Sequence, residues 1–146
     1  MPINWRTDYG VRLVYEISKK PEGTRATVRD LSGSAEVPYD YARTIVRDLV
    51  TSGIMRSFRG VGGGVELTRS PQEITILDVF RALGEPVSLA LCTDAGGVCG
   101  RQDTCPMHVA IYNDLDAMMA DYLGRVSFRD AVEIGSALPE SAEDCR

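Results

Sequence analysis

Residues 37–68 read VPYDYARTIVRDLVTSGIMRSFRGVGGGVELT, and this stretch decides the fold. Pro38 suits a first helical position, because its missing N–H would be unpaired there anyway. Tyr41, Ile45 and Leu49, with Val46 and Val50 beside them, form an apolar stripe at helical spacing. Gly53 is placed to end the helix in a left-handed conformation. Tyr39, Asp40, Arg43 and Arg47 fall on the opposite face. The period then changes. Ile54 to Arg59 reads as a strand, Gly60-Val61-Gly62-Gly63-Gly64 as a turn, and Val65-Glu66-Leu67-Thr68 alternates apolar and polar like a half-buried strand. Arg56, Arg59 and Arg69 lie near this hairpin.

Upstream, Trp5, Tyr9, Leu13 and Ile17 recur every fourth residue, with Val14 beside them, and predict a helix over 5–19 that Pro21-Glu22-Gly23 ends. A short helix follows from Thr27, where Thr27 and Asp30 suit a capping box and Gly33-Ser34 closes it. Downstream, Thr75 caps a helix over 75–83 whose Ile76, Val79, Phe80 and Leu83 face inward. The cysteine segment comes next, rich in Gly and polar residues. From Pro106 a long helix runs to Leu123, with Met107, Ile111, Leu115, Met118 and Tyr122 close to a heptad seam. Ser127 and Asp130 start one more short helix, and the residues after 137 read as a mobile tail. The fold class is mainly α with a small β-hairpin wing: a winged helix-turn-helix followed by a long C-terminal helix. We divide the chain into a winged domain (1–84), a cysteine segment (85–106), a dimerisation helix region (107–135) and a tail (136–146). A small domain covers so long an apolar seam poorly, which points to a homodimer; an ordinary amphipathic core helix is the simpler alternative.

Net charge is −5, yet residues 1–69 hold 11 Lys/Arg against 8 Asp/Glu while residues 70–146 hold 5 against 13. Phosphates respond to the local field within a Debye length, so a basic first half suits double-stranded DNA despite the acidic total. Nothing approaches the roughly 20 apolar residues of a membrane span, and the N-terminus has no signal-peptide core, so a cytoplasmic protein without a membrane partner is expected. A recognition helix places its N-terminal residues at base edges. Arg43 is the candidate for a guanine edge. Pro38, Tyr39, Asp40 and Tyr41 surround the helix start, with the tyrosines on phosphates. Arg47 lies further along, Arg6 is a candidate phosphate contact, and Gly60, Gly62 and Gly63 let Arg59 approach the minor groove. The same helices also occur in proteins that bind no DNA. A phosphate-cradling Walker loop is excluded, since no Lys-Ser/Thr follows the glycines. No nucleophile–base–orienter set is present, so an enzyme is not expected.

Four cysteines are present. Three fall in the pattern Cys92-x6-Cys99-x5-Cys105-x2-His108, and Cys145 is next to last. Three thiolates and an imidazole make a four-ligand set for zinc or an iron–sulfur cluster. Gly96, Gly97 and Gly100 permit close wrapping of backbone around such a group. Spacing alone leaves both metals open, with His108 as an incidental helix residue a further possibility. Thiol redox catalysis is disfavoured because no Cys-x-x-Cys occurs.

Taken together, Thr7-Asp8-Tyr9, Val37-Pro38-Tyr39-Asp40-Tyr41, Arg59-Gly60-Val61-Gly62-Gly63-Gly64, Ile74-Thr75-Ile76-Leu77-Asp78-Val79 and the spaced cysteines resemble the IscR/NsrR type of winged-helix iron–sulfur regulators over residues 3–135. The resemblance implies a DNA-binding transcriptional regulator, most simply a repressor. It implies a homodimer crossed through the long helix on a palindromic operator, with cluster ligands at Cys92, Cys99 and Cys105. For the fourth ligand it offers His108, as in the branch with a 2Fe–2S cluster, or Asp8 donated by the partner subunit, as in the 4Fe–4S branch. The signal implied is iron–sulfur, iron, nitric oxide or redox status, relayed as a change in the angle between recognition helices. Zinc-stabilised DNA binding or protein interaction without sensing is the alternative. Cys145 has no counterpart, and Arg43 stands where the family varies.

Overall fold

In the computed structural model, which describes residues 3–90, 92, 99–101 and 103–138, the first helix is α1 (Trp5–Ser18). Asn4 caps it, its side-chain oxygen accepting from the Arg6 N–H at 3.0 Å. Leu13, Val14 and Ile17 are buried along one face, whereas Trp5, at the head of the same stripe, is half exposed. Its ring instead lies edge-on to Tyr9 and Tyr41, with centroids 5.6 and 4.6 Å away.

α2 (Val28–Ser34) starts at Thr27, whose hydroxyl oxygen accepts from the Asp30 N–H. It runs through Gly33-Ser34 and stops one residue later, because Glu36 takes a left-handed φ of 53° and the Val37 N–H turns back to the Ser32 carbonyl. α3 (Tyr39–Thr51) begins one residue after the predicted position. Pro38 is its N-cap, with φ −55° and ψ 134°, and the Pro38 carbonyl accepts the first helical bond from Ala42. The far end closes as a Schellman motif: Gly53 (φ 81°) donates to Val50 and Ile54 to Leu49.

β1 (Met55–Phe58) and β2 (Gly64–Leu67) pair antiparallel, with Met55 opposite Leu67 and Phe58 opposite Gly64. Gly60 and Gly62 at the tip both have positive φ. Ala26 bridges to Val65 through two backbone bonds of 2.9 and 2.8 Å, which fastens the α1–α2 connection to the wing. β2 does not alternate as expected, for both Val65 and Glu66 are buried. Glu66 is held by the guanidinium of Arg56, its cross-strand partner, at 2.5 and 2.6 Å, and by Arg25 at 3.6 Å. Pairing is what permits a carboxylate to be buried at this position.

α4 (Ile76–Ala82) carries a complete capping box from Thr75 and Asp78. After the cysteine segment a π-helical turn (His108–Tyr112) leads into α5 (Asn113–Arg125), so the predicted long helix is continuous but locally wider. α6 (Phe128–Ala137) has its own capping box, Ser127 and Asp130. Bonds from the Ser127 hydroxyl and backbone hold the Asp130 carboxyl below the usual carboxylate range. That cap therefore persists above the ordinary carboxylate pKa and weakens as pH falls through the lowered value. A bridge between Thr75 and Ser127 returns the chain to α4 and seats Phe128, fully buried, in the core formed by Leu13, Ile45, Leu49 and Ile74. The residues after 138, Cys145 among them, lie outside the described residues, as do Gly96 and Gly97.

Gly64 is where two backbones meet. At φ 142°, an added Cβ would stand 2.6 Å from the Ala26 carbonyl oxygen. Gly64→Ala is expected to cost about 2 kcal/mol or more in urea unfolding. Gly33→Ala, in open space on α2, is expected to gain about 0.5–1 kcal/mol in the same assay.

Candidate DNA interface and cysteine segment

The face of α3 opposite its buried residues presents Tyr39, Asp40, Arg43 and Arg47, all exposed. Arg43 and the wing residue Arg59 have no carboxylate within ion-pair distance among the described residues. Arg47 reaches only the neighbouring Asp48, at 3.9 Å. Arg59 sits beside the glycine turn, where Gly63 N–H donates to the Gly60 carbonyl at 3.0 Å and narrows the tip. Tyr41 packs against Trp5 and leans toward α1. Arg29, from α2, lies 4.7 Å over the Tyr39 ring. It carries no motif of its own in the sequence, and only the turn between α2 and α3 brings it to this face.

Other basic residues are used up inside the fold. Arg56 and Arg25 neutralise Glu66 and also lie over Phe58, at 5.6 and 3.7 Å. Arg69 is occupied by the Glu73 carbonyl and, at 3.8 Å, by Asp78. Arg6 is engaged as well: it donates to Asp48 of α3 at 2.7 Å and to the Leu83 carbonyl, just past α4, at 2.6 Å. Next to it, Glu85 accepts from the Asn4 N–H at 3.3 Å and the Thr7 hydroxyl at 2.9 Å. Gly10 lets Leu83 close onto α1, since an added Cβ there would overlap the leucine side chain. The start of α1, the back of α3 and the exit from α4 are thus tied together at the point where the cysteine segment begins.

That segment is then held along α5, the Leu89 N–H donating to Asp116 at 2.7 Å. Together with Phe80, Pro86, Leu115, Met118 and Tyr122 it lines an apolar groove of about 520 Å³. Cys92, Cys99 and Cys105 are half-buried, and the last two carry free thiols. Cys105 N–H donates to Arg101, and its carbonyl accepts from Val109. One turn on, His108 buries its Nδ1 without a hydrogen-bond partner. A shielded polar atom of this kind calls for a ligand or a bound group. Asp8 lies on the outer surface of α1, paired with Arg12 at 2.9 Å. Soft thiolates and an imidazole are donors of the right chemistry for an iron–sulfur cluster or zinc. Among the described residues, no three His, Cys, Asp or Glu side chains are grouped closely enough to hold a metal ion, so the fit rests on donor type and on the His108 nitrogen.

The two kinds of arginine respond differently to removal. Arg6→Ala is expected to lower stability by about 1–2 kcal/mol, the range left for partly exposed charged hydrogen bonds after solvent screening. Arg59→Ala is expected to stay within about 0.5 kcal/mol of the parent protein. Thermal unfolding followed by circular dichroism separates the two.

Comparison with known proteins places this geometry. The Rrf2 family, described as iron-dependent transcriptional regulators, matches residues 3–134. The regulator NsrR of Geobacillus kaustophilus is 27% identical over 114 residues, covering 77% of this chain and 78% of its own. Among solved structures, CymR, the global cysteine regulator of B. subtilis, superposes with a TM-score of 0.77 at 22% identity, covering 92% of this chain and 98% of its own. IscR of T. potens gives 0.76 at 15% identity, covering 96% and 93%. The chain belongs to the Rrf2 family: it is a winged-helix, DNA-binding transcriptional regulator and not an enzyme.

Proposed function

We propose that the protein works as a homodimer on a palindromic DNA operator, and that its affinity for that operator answers to an iron–sulfur cluster carried on the cysteine segment. The observation that carries the DNA contacts is the charge pattern: among the described residues Arg43 and Arg59 stand exposed without carboxylate partners on the α3 and wing surface, while Arg56 and Arg69 near the wing are paired with Glu66 and Asp78. Arg43 would read a base edge, Tyr39 and Tyr41 would meet phosphates, and Arg59 would follow the wing into the minor groove. The dimer is supported by Met107, Ile111, Leu115, Met118 and Tyr122, which remain 38–65% exposed along one helical stretch. So large a continuous apolar stripe marks an interaction face.

Cys92, Cys99 and Cys105 would hold the cluster, with His108 or the partner subunit's Asp8 as fourth ligand. When bound, such a cluster supplies a centre sensitive to oxidants, nitric oxide and iron supply. The protein's own part is mechanical. The segment leaves α4 at Gly84, where Glu85 holds Asn4 and Thr7 while Arg6 spans Leu83 and Asp48. A shift of the segment would therefore act on α1 and α3 together and change how two recognition helices meet successive half-sites. A second reading, in which zinc or no metal occupies the cysteines, has its own support: the described ligands are not gathered, and CymR, with the same fold, is named for cysteine regulation.

Anaerobic purification, a visible spectrum and iron and sulfide analysis decide between these. A brown protein with near-equal iron and sulfide, bleached by Cys105→Ser, is the expected result. A colourless protein with stoichiometric zinc, made where clusters assemble, would leave a DNA-binding regulator without this sensor. For the DNA contacts, the Arg43→Ala/Arg59→Ala double variant should lose operator binding in a mobility-shift assay while eluting as a dimer. Retained binding with wild-type salt dependence would refute the assignment.

A further inference from the structure

Arg29 and Arg43 lie over the same aromatic ring. Arg29 comes from the first turn of α2, with its guanidinium carbon 4.7 Å from the Tyr39 centroid, and Arg43 from α3, at 5.8 Å. All three side chains are exposed, with Tyr39 at 39%. The two acids nearest in sequence do not neutralise the pair. Asp30 takes the Thr27 hydroxyl at 2.7 Å, and Asp40, in the first turn of α3, makes no ion pair among the described residues. Nor does the Arg29 guanidinium hydrogen-bond a backbone carbonyl, as Arg6 and Arg69 do.

This arrangement is costly in the free chain and useful beside an anion. Two guanidiniums gathered on one ring repel each other, and the ring's negative face offsets only part of that repulsion. Beneath the wing, by contrast, Arg25 and Arg56 share the carboxylate of Glu66. We propose that Arg29 is a phosphate-binding residue: it grips the DNA backbone at the edge of the groove that α3 enters, while Tyr39 holds it in register with Arg43, which faces the bases. In a helix-turn-helix the helix preceding the recognition helix crosses the backbone, which is where the first turn of α2 stands. The inference rests on the DNA reading above and adds a division of labour to it. Arg29 supplies affinity without sequence information, and Arg43 supplies selectivity.

The test uses the full-length protein, a duplex selected by the wild type from a randomised pool, and an unrelated duplex of equal length. Fluorescence anisotropy is measured for both across a KCl series. Arg29→Ala is expected to weaken both duplexes alike, by about tenfold, the worth of one charged hydrogen bond. The slope of log affinity against log salt should fall by about one. Arg29→Lys should restore the slope, because a lysine still neutralises one phosphate. Arg43→Ala should reduce the ratio between the two duplexes instead. Thermal unfolding of Arg29→Ala guards against a purely structural role, and its midpoint should be no lower than that of the wild type, since the variant also relieves the repulsion with Arg43. An unchanged slope in Arg29→Ala, or a lowered midpoint with the slope intact, would overturn the assignment while the DNA reading stands. Failure of the wild type to bind any duplex would overturn both.

Discussion

One buried face on α3 sets the orientation of everything that touches the outside. Ala42, Ile45, Val46 and Leu49 are all essentially inaccessible and pack with Leu13, Val14 and Ile17 of α1. Full burial of each large aliphatic side chain is worth about 1.5–3 kcal/mol, so the helix cannot rotate without losing most of the core. The opposite face, with Tyr39, Arg43 and Arg47, is therefore fixed toward solvent as a consequence of packing. The Schellman closure at Gly53 and the Ala26–Val65 bridge then aim the hairpin relative to that face. A binding surface made this way is rigid before any ligand arrives, which lowers the ordering cost of docking.

Charge follows the same logic. A chain of net charge −5 can present a cationic surface only if its acids are spent elsewhere. Glu66, one of the acids of the basic half, is buried between two arginines beneath the wing; Asp48 is turned inward on Arg6. Beneath the wing the pairing also has a structural consequence. Arg25 comes from the α1–α2 connection and Arg56 from β1, so the shared carboxylate ties the hairpin sideways to the helical body. Among the described residues, Arg29 of α2, Arg43 of α3 and Arg59 of the wing are exposed arginines left without carboxylate partners, and salt screens them from acids more than a Debye length away.

Local signals in the sequence were sufficient for the element order and most of the caps. Thr27, Thr75, Ser127 and Gly53 do what their chemistry prescribes within a few residues of themselves. Where the sequence misleads about a side chain, the partner is most often far along the chain. Glu66 looks like the solvent side of a strand because nothing nearby reveals Arg25. Arg6 reads as a loose cation because Asp48 and Leu83 are 42 and 77 positions away. Trp5 continues the apolar spacing of α1, yet it runs past the end of the core and finds Tyr41 instead. Glu36 takes a conformation usually left to glycine, and only the return bond from Val37 to Ser32 explains it. The cysteine spacing suggests a donor set, but spacing carries no information on whether three thiols converge.

The cysteine segment is informative at its ends. Its start is fixed twice, by Glu85 onto α1 and by Leu89 onto α5. Its finish is the first turn of the helical stretch that bears the exposed apolar stripe, with Val109 N–H bonded to the Cys105 carbonyl. A shift at either end of the segment would load the anchor at that end. The first anchor leads through Arg6 to the back of α3, and the second leads along the π-helical turn to the surface proposed for dimerisation. A π turn is a wider, less regular stretch that commonly marks functional positions, and this one starts at His108, whose inner nitrogen has no partner. In the dimer proposed above, one short segment would thus have purchase on both the aim of each recognition helix and the distance between the two.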